Sequence, residues 1–367
     1  MPNWRPHESL GLAVAALLLV AASRPAGAIP YFANEYGVTC QKCHSIIPRL
    51  NAFGQAFLDH GYSLPGAVAG RPFPLSAKLN LLFTSDPAAG FPKTTVDELE
   101  LFLAGKPSAR TNYFVEQYVV DGGAPGSLRE AWFANRFTPD AAKVPIYAQG
   151  GIFTLPLPVD PEAFRETYED YAIDVQTVGD NPFNLKGPKV GVQGRIGSAD
   201  RGLSSHFLAL QGHDQQSGLP TLGIDLMNET QQVFGPIALT YYGYVGKRPD
   251  ITLVDNFWRQ GLGLTYASTR WAADLVWQLG NDSTFLGTPG AVKSGGGFAQ
   301  LRYQMNLRTF ALVRYDAANG PPGSAMHDFV PLLGFRVSHN SRFTVEEVFQ
   351  NPPQPSTTLN LQYTVGM

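Results

Sequence analysis

The chain has 367 residues, with Lys+Arg 27 against Asp+Glu 30 and a net charge of -3. That balance excludes the basic excess of a nucleic-acid binder, and two cysteines exclude a disulfide scaffold. Charged residues make up 16%, well under the ~25% of ordinary soluble domains, whereas Gly 38, Pro 29 and 12% aromatics describe many turns and an aromatic-rich surface.

Residues 1–28 read as a secretory signal peptide. An apolar run from Leu10 to Ala22 is followed by the small-residue cleavage site Ala26-Gly27-Ala28. The run is too short to span ~30 Å of hydrocarbon comfortably. No later stretch reaches the length of a transmembrane helix, so any membrane span must be made of strands.

Both cysteines fall in Cys40-Gln41-Lys42-Cys43-His44, which is C-x-x-C-H, the attachment signature of c-type haem. Two thiols add to the two vinyl groups of the porphyrin, and the next imidazole sits beneath the iron. Cys40 and Cys43 are therefore expected as thioether sites of one covalently bound haem, with His44 as the proximal iron ligand. A redox disulfide also uses C-x-x-C, and a zinc site would need a second cysteine pair that the chain lacks.

The sixth iron position is open. Leu50, Phe53 and Phe57 mark one apolar face of a short helix that could pack on a porphyrin. His60 at its end is a candidate distal ligand; it could equally be a surface histidine at a helix C-terminus. Met227 is a remoter candidate. The haem unit, about residues 29–66 of a domain drawn at 29–74, is too small for a self-sufficient core, so something else must cover it.

From residue 75 the pattern changes to period two. Leu75, Ala77, Leu79, Leu81 and Phe83 alternate with Ser76, Lys78 and Asn80, and Trp271, Ala273, Leu275 and Trp277 with Asp274 and Gln278. Sixteen such segments are found between 75 and 366, and their connections alternate long (85–96, 156–186, 248–256, 281–297, 318–328) and short. This predicts an all-β fold: an antiparallel outer-membrane barrel of about 16 strands over 75–367, in contact with outer-membrane lipid, with the haem domain as a plug. Tyr241, Trp258, Tyr266, Trp271, Trp277, Tyr303 and Tyr363 are candidates for interfacial girdles. Residues 171–177 are an alternative extra strand.

Ala28-Ile29-Pro30-Tyr31-Phe32-Ala33, Gly37-Val38-Thr39 leading into Cys40–His44, then Pro48, Leu50, Asn51, Phe53-Gly54, Phe57 and Gly61-Tyr62 resemble the fused cytochrome–porin family of outer-membrane iron oxidases. The resemblance covers about residues 28–64; the rest matches in architecture. It implies one c-type haem coupled to a barrel and a role in oxidising extracellular ferrous iron, with Cys40, Cys43 and His44 in the haem-binding roles. Asn34 stands where the family often has Arg.

The expected function is an outer-membrane electron conduit, passing single electrons from an extracellular donor such as Fe(II) to a periplasmic c-type cytochrome. The alternatives are a porin-type channel with a haem plug or sensor, and a soluble periplasmic haem protein. Loop 156–186 follows the fifth strand and so is expected on the outer side, with folding into the lumen as a constriction the other option; it carries Asp160, Glu162, Glu166, Glu169, Asp170 and Asp174 and is a candidate for attracting Fe(II), or simply a solvated acidic loop. Met326-His327 is a weaker metal candidate, and His206 and His213 read as plain barrel residues. No G-x-S-x-G, P-loop, H-E-x-x-H or Rossmann fingerprint is present.

Overall fold

The computed structural model describes residues 30–45, 49–60, 62, 75–85, 90, 92–139, 142–161, 164–179, 181–213, 220–249, 253–320, 325–338, 340–351 and 356–366. The expected signal peptide lies outside the described residues, as do the side chains of Cys40 and His213.

Sixteen antiparallel strands form one closed sheet: β1 (Leu75–Ser85), β2 (Lys93–Gly105), β3 (Thr111–Asp121), β4 (Leu128–Arg136), β5 (Ile146–Phe153), β6 (Lys189–Ser198), β7 (Leu203–His213), β8 (Pro220–Phe234), β9 (Ile237–Pro249), β10 (Val254–Ala267), β11 (Trp271–Phe285), β12 (Thr288–Gln304), β13 (Thr309–Asn319), β14 (Met326–Arg336), β15 (Ser341–Asn351) and β16 (Ser356–Gly366). Each pairs with its sequence neighbour, and β1 closes on β16 from Lys78↔Gly366 to Ser85↔Leu359. The two-residue segment Ala124–Pro125 folds back on β3 alone. Closure leaves no sheet edge, the condition for strands to lie in lipid.

Alternation follows the pleat. On β11, Trp271, Leu275, Trp277 and Leu279 are exposed, while Ala272, Asp274, Val276, Gln278 and Asp282 are buried. The outward face is apolar around the circumference, with Phe133, Ile224, Leu262, Val313 and Phe329 among its exposed side chains. Tyr241, Tyr266, Trp271 and Trp277 of the expected girdle are exposed; Trp258, Tyr303 and Tyr363 are half-buried.

The inward face is uneven. On β11 to β16 it is polar, with Asp274, Gln300, Arg302, Arg314, Asp316, Asp328, Glu346 and Asn360 all buried. On β2 to β5 it is aromatic, with Phe102, Phe114, Tyr118, Trp132, Tyr147 and Phe153. An aromatic wall is out of place in a water-filled lumen, and it needs a partner.

Two expectations about connections change. The 281–297 loop is not a loop: β11 and β12 run on as a hairpin through a turn at Leu286 (φ 49) and Gly287 (φ 71), the positive pair of a tight hairpin. The glycine run 295–297 belongs to β12, where a Cβ on Gly297 would lie 2.3 Å from the Val276 carbonyl oxygen. Glycine here marks close strand approach, not a break. The long–short alternation reduces to one long connection, 154–188. Within it 171–177 is no strand, since Ala172–Val175 is a short helix, and Tyr171 stacks on inward-facing Phe298 at 4.0 Å.

Candidate functional site

Three short helices precede the barrel: α1 (Pro30–Tyr36), α2 (Cys40–Cys43) and α3 (Ala52–Asp59). Gly37, at φ 61, follows the last residue of α1, the left-handed position that lets a helix stop. The C-x-x-C residues form α2, and His44 bridges back to Leu50.

Asn51 fastens α3 to α2. Its side-chain oxygen accepts from the Gly54 N–H at 3.0 Å, an N-cap. Its amide nitrogen donates to the carbonyl oxygens of Gln41 (3.3 Å) and Lys42 (3.1 Å), and its backbone N–H donates to Cys43 O at 2.8 Å. The helices meet so closely that a Cβ on Gly54 would lie 2.2 Å from the Cys43 carbonyl oxygen. The Lys42 ammonium sits 4.5 Å from the centre of the Phe53 ring.

The aromatic barrel wall finds its partner here. Tyr62 stacks on Phe32 (4.9 Å), on Trp132 of β4 (5.4 Å) and on Phe114 of β3 (5.8 Å), and Phe57 meets Phe32 edge-on at 5.2 Å. On the polar side, Arg49 donates to both carboxylate oxygens of Asp274 on β11, at 2.6 and 2.7 Å. The N-terminal residues therefore touch opposite walls of the lumen.

Between these helices and the wall lies a cavity of about 230 Å³. Phe32, Val38, Leu50, Phe53 and Phe57 line its apolar side together with Cys43 and His44; Phe102, Phe114, Lys78, Glu100, Glu116 and Arg342 line the barrel side. The expected apolar helix face, the second motif cysteine and the motif histidine thus share one cavity.

His60 does not. It is buried at the end of α3, with Nδ1 3.2 Å from the Tyr147 hydroxyl and Nε2 3.5 Å from Asp200. Both ring nitrogens face barrel groups, so in this arrangement His60 docks the helix end, and axial ligation would require giving up both contacts. Met227 packs in the aromatic cluster with Tyr244 and Phe257, outside the cavity lining. His206 is a barrel residue as expected, 2.7 Å from Gln193 and 3.9 Å from Glu229. His327 lies 3.0 Å from the Tyr315 hydroxyl.

The acidic loop is not a solvated cation trap. It follows β5 and folds inward. Glu166 is fully buried 3.5 Å from Arg49 and 3.5 Å from Arg302, and Arg342 donates to its carbonyl oxygen at 3.2 Å. Asp170 pairs with Arg165 and with Lys186 (2.6 Å). Glu346 on β15 accepts from the backbone N–H groups of Tyr168 (2.6 Å) and Glu169 (2.9 Å). Arg314 donates to Thr167 Oγ1, Glu169 O and Asp170 O. Burial raises Asp174 to about 8, helped by Asp316 and Asp160. Burial also raises Glu169 to about 7 against the opposing pull of Arg314. Glu166 and Asp170 are committed to internal ion pairs, and among the described residues no group of three or more His, Cys, Asp or Glu is arranged to hold a metal ion.

Sequence reasoning missed the Arg49–Asp274 clamp, whose partners are 225 residues apart. The N-cap role of Asn51 carried a readable signal, since an Asn before an apolar-periodic run marks a helix start.

No protein-family model matches the sequence, and neither does any curated protein. Solved structures do match. An anion-selective porin from Comamonas acidovorans superposes with a TM-score of 0.64 at 10% identity, covering 80% of this chain and 98% of that one. Salmonella typhi OmpF, in complex with daunomycin, gives 0.61 at 13% identity, covering 80% and 97%. Vibrio cholerae OmpT gives 0.58 at 10% identity, covering 81% and 99%. The fold is that of the porins. Those chains are matched almost end to end, so the likeness covers their whole fold.

Proposed function

We propose that this protein is a porin-type barrel of the outer membrane whose N-terminal segment is a haem-bearing plug. The observation that carries the reading is the sharing of one apolar cavity, inside a barrel, by Cys43, His44 and the Leu50–Phe53–Phe57 face. Apolar lining and a motif imidazole suit a porphyrin. The enclosed volume, about 230 Å³, is below the ~300–1,000 Å³ of drug-sized sites, so a macrocycle seated here keeps an edge outside it.

Cys40 and Cys43 would hold the haem by thioethers, and His44 would ligate its iron; bound there, it supplies a one-electron carrier partway through the membrane. The chain's own residues do the rest. Asn51 and Gly54 fix the C-x-x-C turn against α3, Arg49 and Tyr62 anchor the plug to opposite walls, and Phe102 and Phe114 keep water from the cavity. A bilayer core of ~30 Å is too thick for direct electron tunnelling, so an intermediate site makes an electron conduit possible. The donor is a one-electron reductant outside, with Fe(II) the candidate that the family resemblance suggests, and the acceptor is a periplasmic c-type cytochrome.

The porin neighbours favour a second reading, a solute channel in which the same plug gates or senses. Two measurements separate them. Cytochrome-c-maturing cells should yield a barrel that stays haem-stained on a denaturing gel, with the stain lost in Cys40→Ser/Cys43→Ser. A colourless wild type ends the haem reading. In planar bilayers the conduit should be nearly non-conducting, and a steady porin-like conductance with no reduction of the haem by external one-electron donors favours the channel.

A further inference from the structure

One end of the barrel is rich in basic side chains. The turns joining β2–β3, β4–β5, β6–β7, β10–β11 and β12–β13 hold Lys106, Arg110, Lys143, Arg201, Arg270 and Arg308, against Asp140 and Asp200 alone. Arg110, Lys143, Arg201, Arg270 and Arg308 are exposed. At the other end the one long connection, 154–188, folds inward with Glu166 and Asp174 buried, and no comparable basic ring is formed among the described residues. The chain as a whole is net -3, so the basic rim is a local accumulation.

β1 begins and β16 ends at the basic end. In barrels with both termini in the periplasm this is the periplasmic rim. The cavity that Cys43 and His44 line reaches the same end, because Asn340 and Gly366 belong to its lining and the Asn340 side chain donates to Gly366 O at 2.7 Å.

We propose that this rim is a docking face for an acidic periplasmic electron-transfer protein, one whose cofactor edge is ringed by carboxylates. The proposal rests on the haem-plug reading and names the partner's chemistry. A basic ring around a redox opening steers an acidic partner into register and speeds encounter more than it tightens the complex. Anionic lipid headgroups are the other occupant of such charges. Two features favour protein: Lys106 faces Glu35 of α1, and Arg201 pairs with Asp200, whose carboxylate is 3.5 Å from His60. Lys106 and Arg201 therefore stand beside the N-terminal helices, whereas exposed apolar side chains such as Leu307 and Phe137 serve the lipid at this rim.

The test uses the full-length protein in phosphatidylcholine nanodiscs and two soluble monohaem c-type cytochromes, one with an acidic and one with a basic haem edge. Binding is read by biolayer interferometry without turnover, so a colourless barrel reports on the haem reading while binding reports on the rim. The acidic cytochrome should bind, with affinity falling at least about tenfold between low and physiological salt, and the basic one should not. Arg110→Glu/Arg270→Glu/Arg308→Glu should weaken that binding by at least about tenfold while the unheated barrel keeps its fast migration on a gel. Absence of acidic-cytochrome binding, or equal binding by the triple variant, overturns the proposal. Selective uptake of phosphatidylglycerol that the triple variant abolishes, with no cytochrome bound, overturns it in favour of lipid.

Discussion

Arg49 is the residue on which the plug depends most. Its guanidinium is buried between Asp274 and Glu166, so one side chain fastens the N-terminal segment to the wall and to the loop. Removing one partner of a buried ion pair leaves the others uncompensated and costs about 3–5 kcal/mol. Arg49→Ala is expected to leave the barrel folded but expose the N-terminal segment to trypsin at Lys42; unchanged protection would remove Arg49 from the anchor. Gly54 acts at shorter range. Gly54→Ala puts a methyl 2.2 Å from a backbone oxygen and should cost about 1–3 kcal/mol as α3 shifts off α2. The expected readout is a lower ratio of haem-stained to total barrel, compared with Gln55→Ala on the same helix.

At the scale of elements, the loop 154–188 is held by groups whose charge depends on pH. Asp174 lies at about 8 and Glu169 at about 7 because burial favours their neutral forms. An acid raised in the folded state binds more protons there than when released, so its docking is favoured at low pH and weakens as pH rises from the ordinary carboxylate range through the raised value. Hydrogen exchange of residues 164–179, corrected for the intrinsic rate, should therefore speed up between about pH 4 and pH 8. Asp174→Asn should flatten that rise. Arg314 holds the same loop through Thr167, Glu169 and Asp170, so Arg314→Met should speed exchange at every pH. If the variant exchanges like the wild type, the loop is fastened elsewhere.

For the molecule as a whole, closure of β1 on β16 predicts a body that resists detergent until heated. Unheated protein should run faster on a denaturing gel than boiled protein. With the plug and the inward loop both in place, wild-type conductance in planar bilayers should be small, and Arg49→Ala and Arg314→Met should each raise it. Equal conductance in all three would mean that neither element blocks the lumen.

The strand array was legible because a barrel wall faces two solvents, lipid and lumen, and side chains must alternate between them. Period two survives in sequence, and all sixteen segments could be placed. The C-x-x-C-H pattern was legible because its spacing is local and needs no distant residue. The sequence alone therefore determined the wall, the place of the Cys40–His44 pattern and the apolar face of α3. Strand lengths beyond the membrane were not legible, since glycine runs such as 295–297 look the same in a loop as in a crowded ladder. Nor was it visible that His60 would turn to Tyr147 and Asp200, that Arg302 and Arg314 would be the groups holding the inward-folded acidic loop, or that Arg49 would meet Asp274. Those are contacts between segments far apart in the chain, and only the three-dimensional closure of the barrel brings their charges close enough to choose one another.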